Sequence, residues 1–295
     1  MTERPVLAGV LGACVIAFSA ILVRLAEVSP STAAFFRCAY AVPALALLAW
    51  RERRRYGPRP RRQQALAWFA GALFALNLTL WHHAIEAVGA GLSTVLGNIQ
   101  VVFVGLIAWA VLGERPDNRS LLAIPVVLGG VVLISGAIGA GAYGEDPVLG
   151  VVFGLSNAVA YALFLLILRR GNADERRPAG PLFDATLSGA IFSALGGLAV
   201  GDLDLMPTAE AHAWLLLLAL SSQVLGWLLI SVSLPRLPAL LTSILLMLQP
   251  VSTVGLGALL LSEAPSAVQL MGVAIVIAGV ALATSRPRER APAPA

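Results

Sequence analysis

Ten stretches of this chain are each about 20 residues long, continuously apolar and almost free of charge, and nothing else constrains the fold so tightly. They are Val6–Val23, Thr32–Trp50, Ala65–His83, Leu92–Leu112 and Leu121–Gly139, then Val148–Leu168, Leu182–Val200, Ala213–Ser233, Ala239–Leu261 and Ala267–Thr284. A helix of about 20 residues, rising about 1.5 Å per residue, crosses the roughly 30 Å of hydrocarbon in a bilayer. The runs do not alternate polar with apolar, which argues against membrane strands. A helix also satisfies its own backbone polar groups in lipid. The expected fold is an all-α integral membrane protein of ten transmembrane helices. With only 12% charged residues in 295, half the usual share, the chain could not cover a water-facing surface. A soluble enzyme, a nucleic-acid binder and a disordered chain are excluded.

The first run follows Arg4 and has the order of a signal peptide, but it is long for the apolar segment of one and lacks a clear cleavage site. It is read as a span. Ten spans put both termini on one side. Placing that side in the cytoplasm puts 18 arginines in inner loops and tails, including the run Arg51–Arg62, and leaves only Arg24 in an outer loop and Arg37 in a span. This bias predicts an N-in, C-in protein of the cell membrane. The net charge of +4 therefore sets topology rather than nucleic-acid binding, and Arg51–Arg62 is read as a topology-fixing loop near anionic lipid. Cys14 and Cys38 lie inside apolar runs, away from any disulfide framework or zinc site.

The chain repeats itself. A shift of 149 positions lays Gln100 on Gln249, Leu112 on Leu261, Glu114 on Glu263, Pro116 on Pro265, Leu121 on Leu270 and Gly130-Val131 on Gly279-Val280. A shift of 142 lays Pro5-Val6-Leu7 on Pro147-Val148-Leu149. Each half holds five spans, and an odd number turns the second copy upside down. Inverted repeats mark secondary transporters, in which the solute sits near the midplane between halves that exchange conformations.

With these features the chain resembles the EamA family of the drug/metabolite transporter superfamily, over two units, 6–139 and 148–284, followed by a cytoplasmic tail, 285–295, expected to be disordered. The motif that opens a unit reads here Phe18-Ser19, where the family has a Trp-Gly type pair, then Ser29-Pro30 and Phe35-Phe36-Arg37. The closing motif is complete in the second unit as Gln249-Pro250-Val251, Leu261-Ser262-Glu263, Gly272 and Gly279-Val280. The first unit keeps Leu112-Gly113-Glu114 and Gly130-Val131 but has Val101 in the proline position, which removes the expected helix irregularity from that unit alone. The resemblance implies ten helices and the movement of solutes, commonly the export of metabolites, amino acids or toxic compounds.

Polar groups inside spans are the candidates for binding. Asn77, Asn98, Gln100, Asn157, Tyr161, Gln223, Trp227 and Gln249 lie well within helices whose lipid-facing surface should be apolar. Helix-to-helix hydrogen bonding is the alternative for each. Pro250 lacks a backbone donor and frees a carbonyl one turn earlier, so the neighbourhood of Gln249 should be polar. Gln100 and Gln249 are expected to form a symmetric pair lining one cavity. Tyr161 and Trp227 offer faces to a cationic or aromatic solute. Arg37 and His82 are the gating or coupling candidates. Arg37 lies near the end of its span, where its stem is expected to snorkel toward the headgroups and bond helix-end carbonyls, with a gate or an anion-binding charge as the functional alternative. His82, beside Trp81 and His83, can titrate near neutral pH or serve as an interfacial anchor. Glu114 and Glu263 are expected to fix helix ends or the contact between units, and Asp184 to suit a helix N-terminus.

No Walker, zinc-protease or nucleophile-elbow motif is present, so no catalytic residue, metal or cofactor is expected. The expected partners are a small-molecule solute and the lipid bilayer, with no nucleic acid and a homodimer left open. The reading is a permease that exports by alternating access. A flippase for a lipid-linked or amphipathic substrate and a non-transporting scaffold are the alternatives. An apolar lateral opening, with Arg37 near a headgroup, is what a flippase would show.

Overall fold

The computed structural model describes residues 4–135, 146–260 and 266–284, with the side chains of 82, 86, 89–92 and 147 set aside. The described residues are built from helices: α1 Pro5–Ala26, α2 Pro30–Tyr56, α3 Arg61–Asn98, α4 Gln100–Ile107, α5 Asn118–Ile134, α6 Pro147–Gly171, α7 Ala179–Val200, α8 Ala209–Leu218, α9 Trp227–Ser233, α10 Ala239–Leu246, α11 Leu248–Leu260 and α12 Ala267–Thr284. Two π-helical stretches, Ala108–Leu112 and Ala219–Gly226, continue α4 and join α8 to α9. Among the described residues nine stretches are long and apolar enough to cross a membrane, and Asn118–Ile134 is a shorter apolar helix.

Local chemistry sets the ends. Pro5, Pro30 and Pro147 occupy the first helical position, where a missing N–H costs nothing. The Ser29, Asp117, Asp146 and Thr208 side chains accept from backbone N–H groups of the first turn. Gly113 and Gly201 end their helices at φ 70° and 83°, a conformation open to residues without a Cβ.

Helix α3 is continuous along the backbone, yet its neighbours on α6 show that it doubles back. Ala67 lies by Gly171, Asn77 bonds Asn157 and Val88 packs on Gly150. Leu96 then packs on Gly154, and Gly97 on Asn157. The two arms match the third and fourth apolar runs, joined through the Gly89–Gly91 neighbourhood without a long loop.

The family's proline irregularity was expected in the second unit only. It occurs in both. Met247 interrupts α10–α11, next to Leu246, the carbonyl that Pro250 deprives of its donor. Ile99 interrupts α3–α4 with no proline present. At each break the N–H turns to the carbonyl three residues back, Ile99 to Leu96 at 3.2 Å and Met247 to Ile244 at 3.0 Å. A single tight turn therefore replaces the α-helical bond in both units.

The halves pack through corresponding helices. Along α2 and α7, Ser31 meets Gly197, Cys38 meets Gly189 and Glu52 meets Gly180, so the two run antiparallel. Helices α5 and α12 do the same with a reciprocal contact. A Cβ on Gly130 would lie 2.6 Å from Val276, and one on Gly279 would lie 2.6 Å from Val127. Adding 149 to 130 and 127 gives 279 and 276, so each contact is the image of the other. Gly12 on α1 and Gly226 before α9 likewise face each other's carbonyls at 3.1 and 3.5 Å from their missing Cβ positions. Small residues are what allow such close approach when lipid supplies no hydrophobic drive.

Candidate functional site

A set of interacting polar side chains in the interior lies where the two units meet. Arg37 (α2) and Phe74 (α3) come from the first unit. Tyr161 and Phe164 (α6), Thr186 (α7), Gln223, Trp227 (α9) and Gln249 (α11) come from the second. Gln223 sits in the π-helical stretch Ala219–Gly226, a wider turn of the kind often found at functional positions.

Arg37 turns inward. Its Nε donates to Gln223 Oε1 at 2.9 Å, and its guanidinium carbon lies 5.6 Å from the Phe74 ring centroid. This differs from the snorkelling expected of a residue near a span end. The amide of Gln223 and the aromatic face offer the charge an internal place, so its stem need not reach for headgroups. Gln223 Nε2 in turn donates to Thr186 Oγ1 at 3.1 Å, and the Tyr161 hydroxyl lies beside the Gln249 side chain. Among the described residues no carboxylate forms an ion pair with Arg37, and its two Nη groups carry no hydrogen bond.

Four rings border this group. Phe164 lies 5.0 Å from Phe74, 5.1 Å from Trp227 and 5.9 Å from Tyr161, centroid to centroid. Trp227 is buried at 2% exposure, and its indole Nε1 has no hydrogen-bond partner.

The other candidate amides serve neighbouring helices. Asn77 donates to the Oδ1 of Asn157, tying α3 to α6. Asn98 folds back on its own helix, donating to Thr94 O at 2.8 Å. Gln100, 2% exposed, accepts from Ser243 Oγ at 2.9 Å. Gln100 and Gln249 thus have different neighbours, Ser243 for one and Tyr161 for the other, and no hydrogen bond joins them. The His82 side chain and Glu263 lie outside the described residues.

At the arginine-rich end the units are cross-linked. Glu114 pairs with Arg169 and also accepts from the Ala239 N–H at 3.0 Å, capping α10. Arg169 donates further to Leu234 O and Leu237 O, at 2.9 and 3.0 Å. Asp184 pairs with Arg59, and Glu52 accepts from Ala179 N and Gly180 N at 2.9 and 2.7 Å, capping α7. A cleft of about 220 Å³ opens here, lined by Trp50, Arg53, Arg59 and Phe183 among others. At the opposite end Ser29 bonds Asp202 O, Thr32 accepts from Asp204 N at 2.8 Å, and Tyr40 meets His212 at 2.7 Å. A separate apolar groove of about 380 Å³ runs between α3 and α6, lined by leucines 73, 76, 80, 155 and 163.

Sequence reasoning did not single out Phe74, Phe164 or Thr186. The two rings had a signal: Phe74 is three residues before Asn77 and Phe164 three after Tyr161, spacings that share a helix face. Thr186 had none, since hydroxyl residues occur throughout tightly packed membrane helices.

The model of the EamA-like transporter family matches the chain twice, over residues 4–136 and 148–285. A solved crystal structure, titled only as that of a protein, is similar in fold at a TM-score of 0.78, with 18% identity over 96% of each chain. No curated protein matches the chain by sequence.

Proposed function

Since the chain belongs to the EamA-like transporter family, a family of membrane transporters, we propose that it is a secondary permease of the cell membrane that exports a small organic metabolite, amino acid or toxic compound by alternating access. In this reading ten helices, in five-helix units 6–139 and 148–284, cross the membrane in opposite senses with both termini and the 285–295 tail in the cytoplasm. The arginine distribution supports that orientation.

The observation that carries the reading is the polar group built by both units, Arg37 with Gln223, Tyr161 and Gln249. A solute held there touches both halves, so their relative rocking changes which face it meets. Gln223, Trp227, Tyr161 and Gln249 contact the solute, and Arg37 couples its binding to the movement. Asn77, Asn157, Asn98 and Gln100 hold the surrounding helices. The cross-links at the two ends act as gates that break in turn, and His82 belongs to the outer end.

A tolerance screen tests this. Cells overproducing the protein are challenged with amino-acid analogues, organic amines, dyes and sugar derivatives, beside Gln249→Ala at equal expression. Resistance to one class, lost in the variant, is the expected result. Increased sensitivity would mean uptake instead of export, and no change anywhere would refute transport of these classes. The groove between α3 and α6 favours a second reading, lateral entry of an amphipathic substrate as in a flippase. Arg37 inside the bundle, away from a headgroup position, favours the first.

A further inference from the structure

We propose that the solute carries a carboxylate or an equivalent acceptor-rich anionic group, bound by Arg37, attached to an apolar body that packs against the Phe74, Phe164 and Trp227 cluster. This rests on the transport reading above and specifies its substrate class.

A guanidinium keeps its charge even when buried. Placing a charge inside a membrane span is costly, and such groups pair with others or line a pathway. Arg37 has no anionic partner among the described residues. Its contacts are a neutral amide and an aromatic face. Only Nε is engaged, which leaves both Nη groups, the fork that fits a carboxylate in bidentate fashion, without an acceptor. The neighbouring Trp227 Nε1 is a second donor with nothing to donate to. Two acceptors nearby are already engaged, Gln223 Oε1 by Arg37 and Thr186 Oγ1 by Gln223. The site is thus rich in free donors, carries one uncompensated positive charge and is walled by rings. An amine would meet that charge with like sign. A carboxylate on an apolar frame supplies what is missing.

Three probes share one frame and differ in the polar group: phenylacetate, phenylacetamide and phenethylamine. Each is titrated into the purified full-length protein in detergent, following thermal stabilisation and tryptophan fluorescence. Phenylacetate should bind with saturation, the amide about 10- to 100-fold more weakly and the amine not measurably. That range follows from about 1.5–3 kcal/mol for hydrogen bonds to charged groups, at about 1.4 kcal/mol per tenfold. Arg37→Gln should lose the preference for the carboxylate. Because it removes the partner of Gln223, Gln223→Glu is the second variant. It keeps an acceptor at 2.9 Å from Nε and supplies the missing negative charge. This variant should keep wild-type monodispersity and thermal stability while phenylacetate affinity falls at least about tenfold, the lower bound of the same estimate. The proposal is overturned by amine binding equal to or tighter than the carboxylate's, by unchanged phenylacetate affinity in folded Gln223→Glu, or by no binding of any probe at millimolar concentration. Transport is read separately in proteoliposomes. Movement of an amine but not an acid would sink the anion assignment and leave the permease reading intact. Binding of phenylacetate with no movement of any compound would do the reverse.

Discussion

Gly129 and Gly130 are adjacent on α5, yet replacing each with alanine should have opposite effects. A methyl at 129 meets nothing within 4 Å, so the variant gains the helix preference of alanine over glycine, about 0.8–1 kcal/mol. A methyl at 130 would lie 2.6 Å from Val276 Cγ2, 2.8 Å from the Gly272 carbonyl oxygen and 3.0 Å from the Val276 nitrogen. Two of these three are backbone, so no side-chain rotation relieves the clash and α5 must move away from α12. Overpacking of that kind costs about 1–3 kcal/mol, which offsets or outweighs the same helix gain. The two variants should therefore differ by about 1–3 kcal/mol. At about 2–4 °C per kcal/mol for a chain of comparable size, Gly130→Ala should unfold at least about 2 °C below Gly129→Ala and up to about 12 °C below. The assay is thermal unfolding of detergent-purified protein, followed by loss of the monodisperse peak on size exclusion. Gly272→Ala provides a reciprocal check, since its methyl would lie 2.7 Å from the Gly130 carbonyl oxygen. A Gly130→Ala midpoint equal to or above that of Gly129→Ala would refute the reasoning, because no other difference between the positions reverses the order.

Glu114→Gln keeps an acceptor for the Ala239 N–H but loses the partly exposed pairing with Arg169, and should cost no more than about 1 kcal/mol. Glu114→Ala also removes the cap, adding about 1 kcal/mol, so its unfolding midpoint should fall about twice as far. Asn157→Leu strands the buried Asn77 amide and should destabilise more than the double variant Asn77→Leu/Asn157→Leu, in which neither partner is left unpaired; a double variant that is the less stable would contradict this. Pro250→Ala should raise the unfolding midpoint, since an interior proline opposes the helix, while tolerance of the exported compound falls; unchanged tolerance would separate the break at Met247 from function.

The apolar runs, the repeat and the family are legible from residue order because lipid demands long apolar helices and a duplication leaves its register behind. The doubled path of α3 is less so, since the third and fourth runs appear as two spans while the backbone between them stays helical. Within the site, the candidate amides stand out by polarity alone, but polarity does not say which way a helix is turned. That is why Gln100 and Gln249, matched in sequence, end up with unrelated partners. Arg37 presents the same difficulty. Its depth along the span suggests an outward reach, and only the placement of Gln223 on a π-helical turn of another helix reveals an inward one. The arginine-rich end shows the opposite situation, where Glu114 at a helix terminus was expected to fix a terminus or join the units, and it contacts both Arg169 and the start of α10.

The paired contacts of Gly130 with Val276 and Gly279 with Val127 have a mechanical meaning. Each is the other's image, so if the two units trade shapes, this pair of contacts is carried onto itself. In the alternating-access reading it would act as a fulcrum: the arms swing while the bearing surface keeps the same teeth engaged. The work of reversing the molecule would then fall on the fastenings at its two ends, where Glu52 accepts from the Gly180 N–H at the start of α7 and Asp202 accepts from the Ser31 N–H at the start of α2.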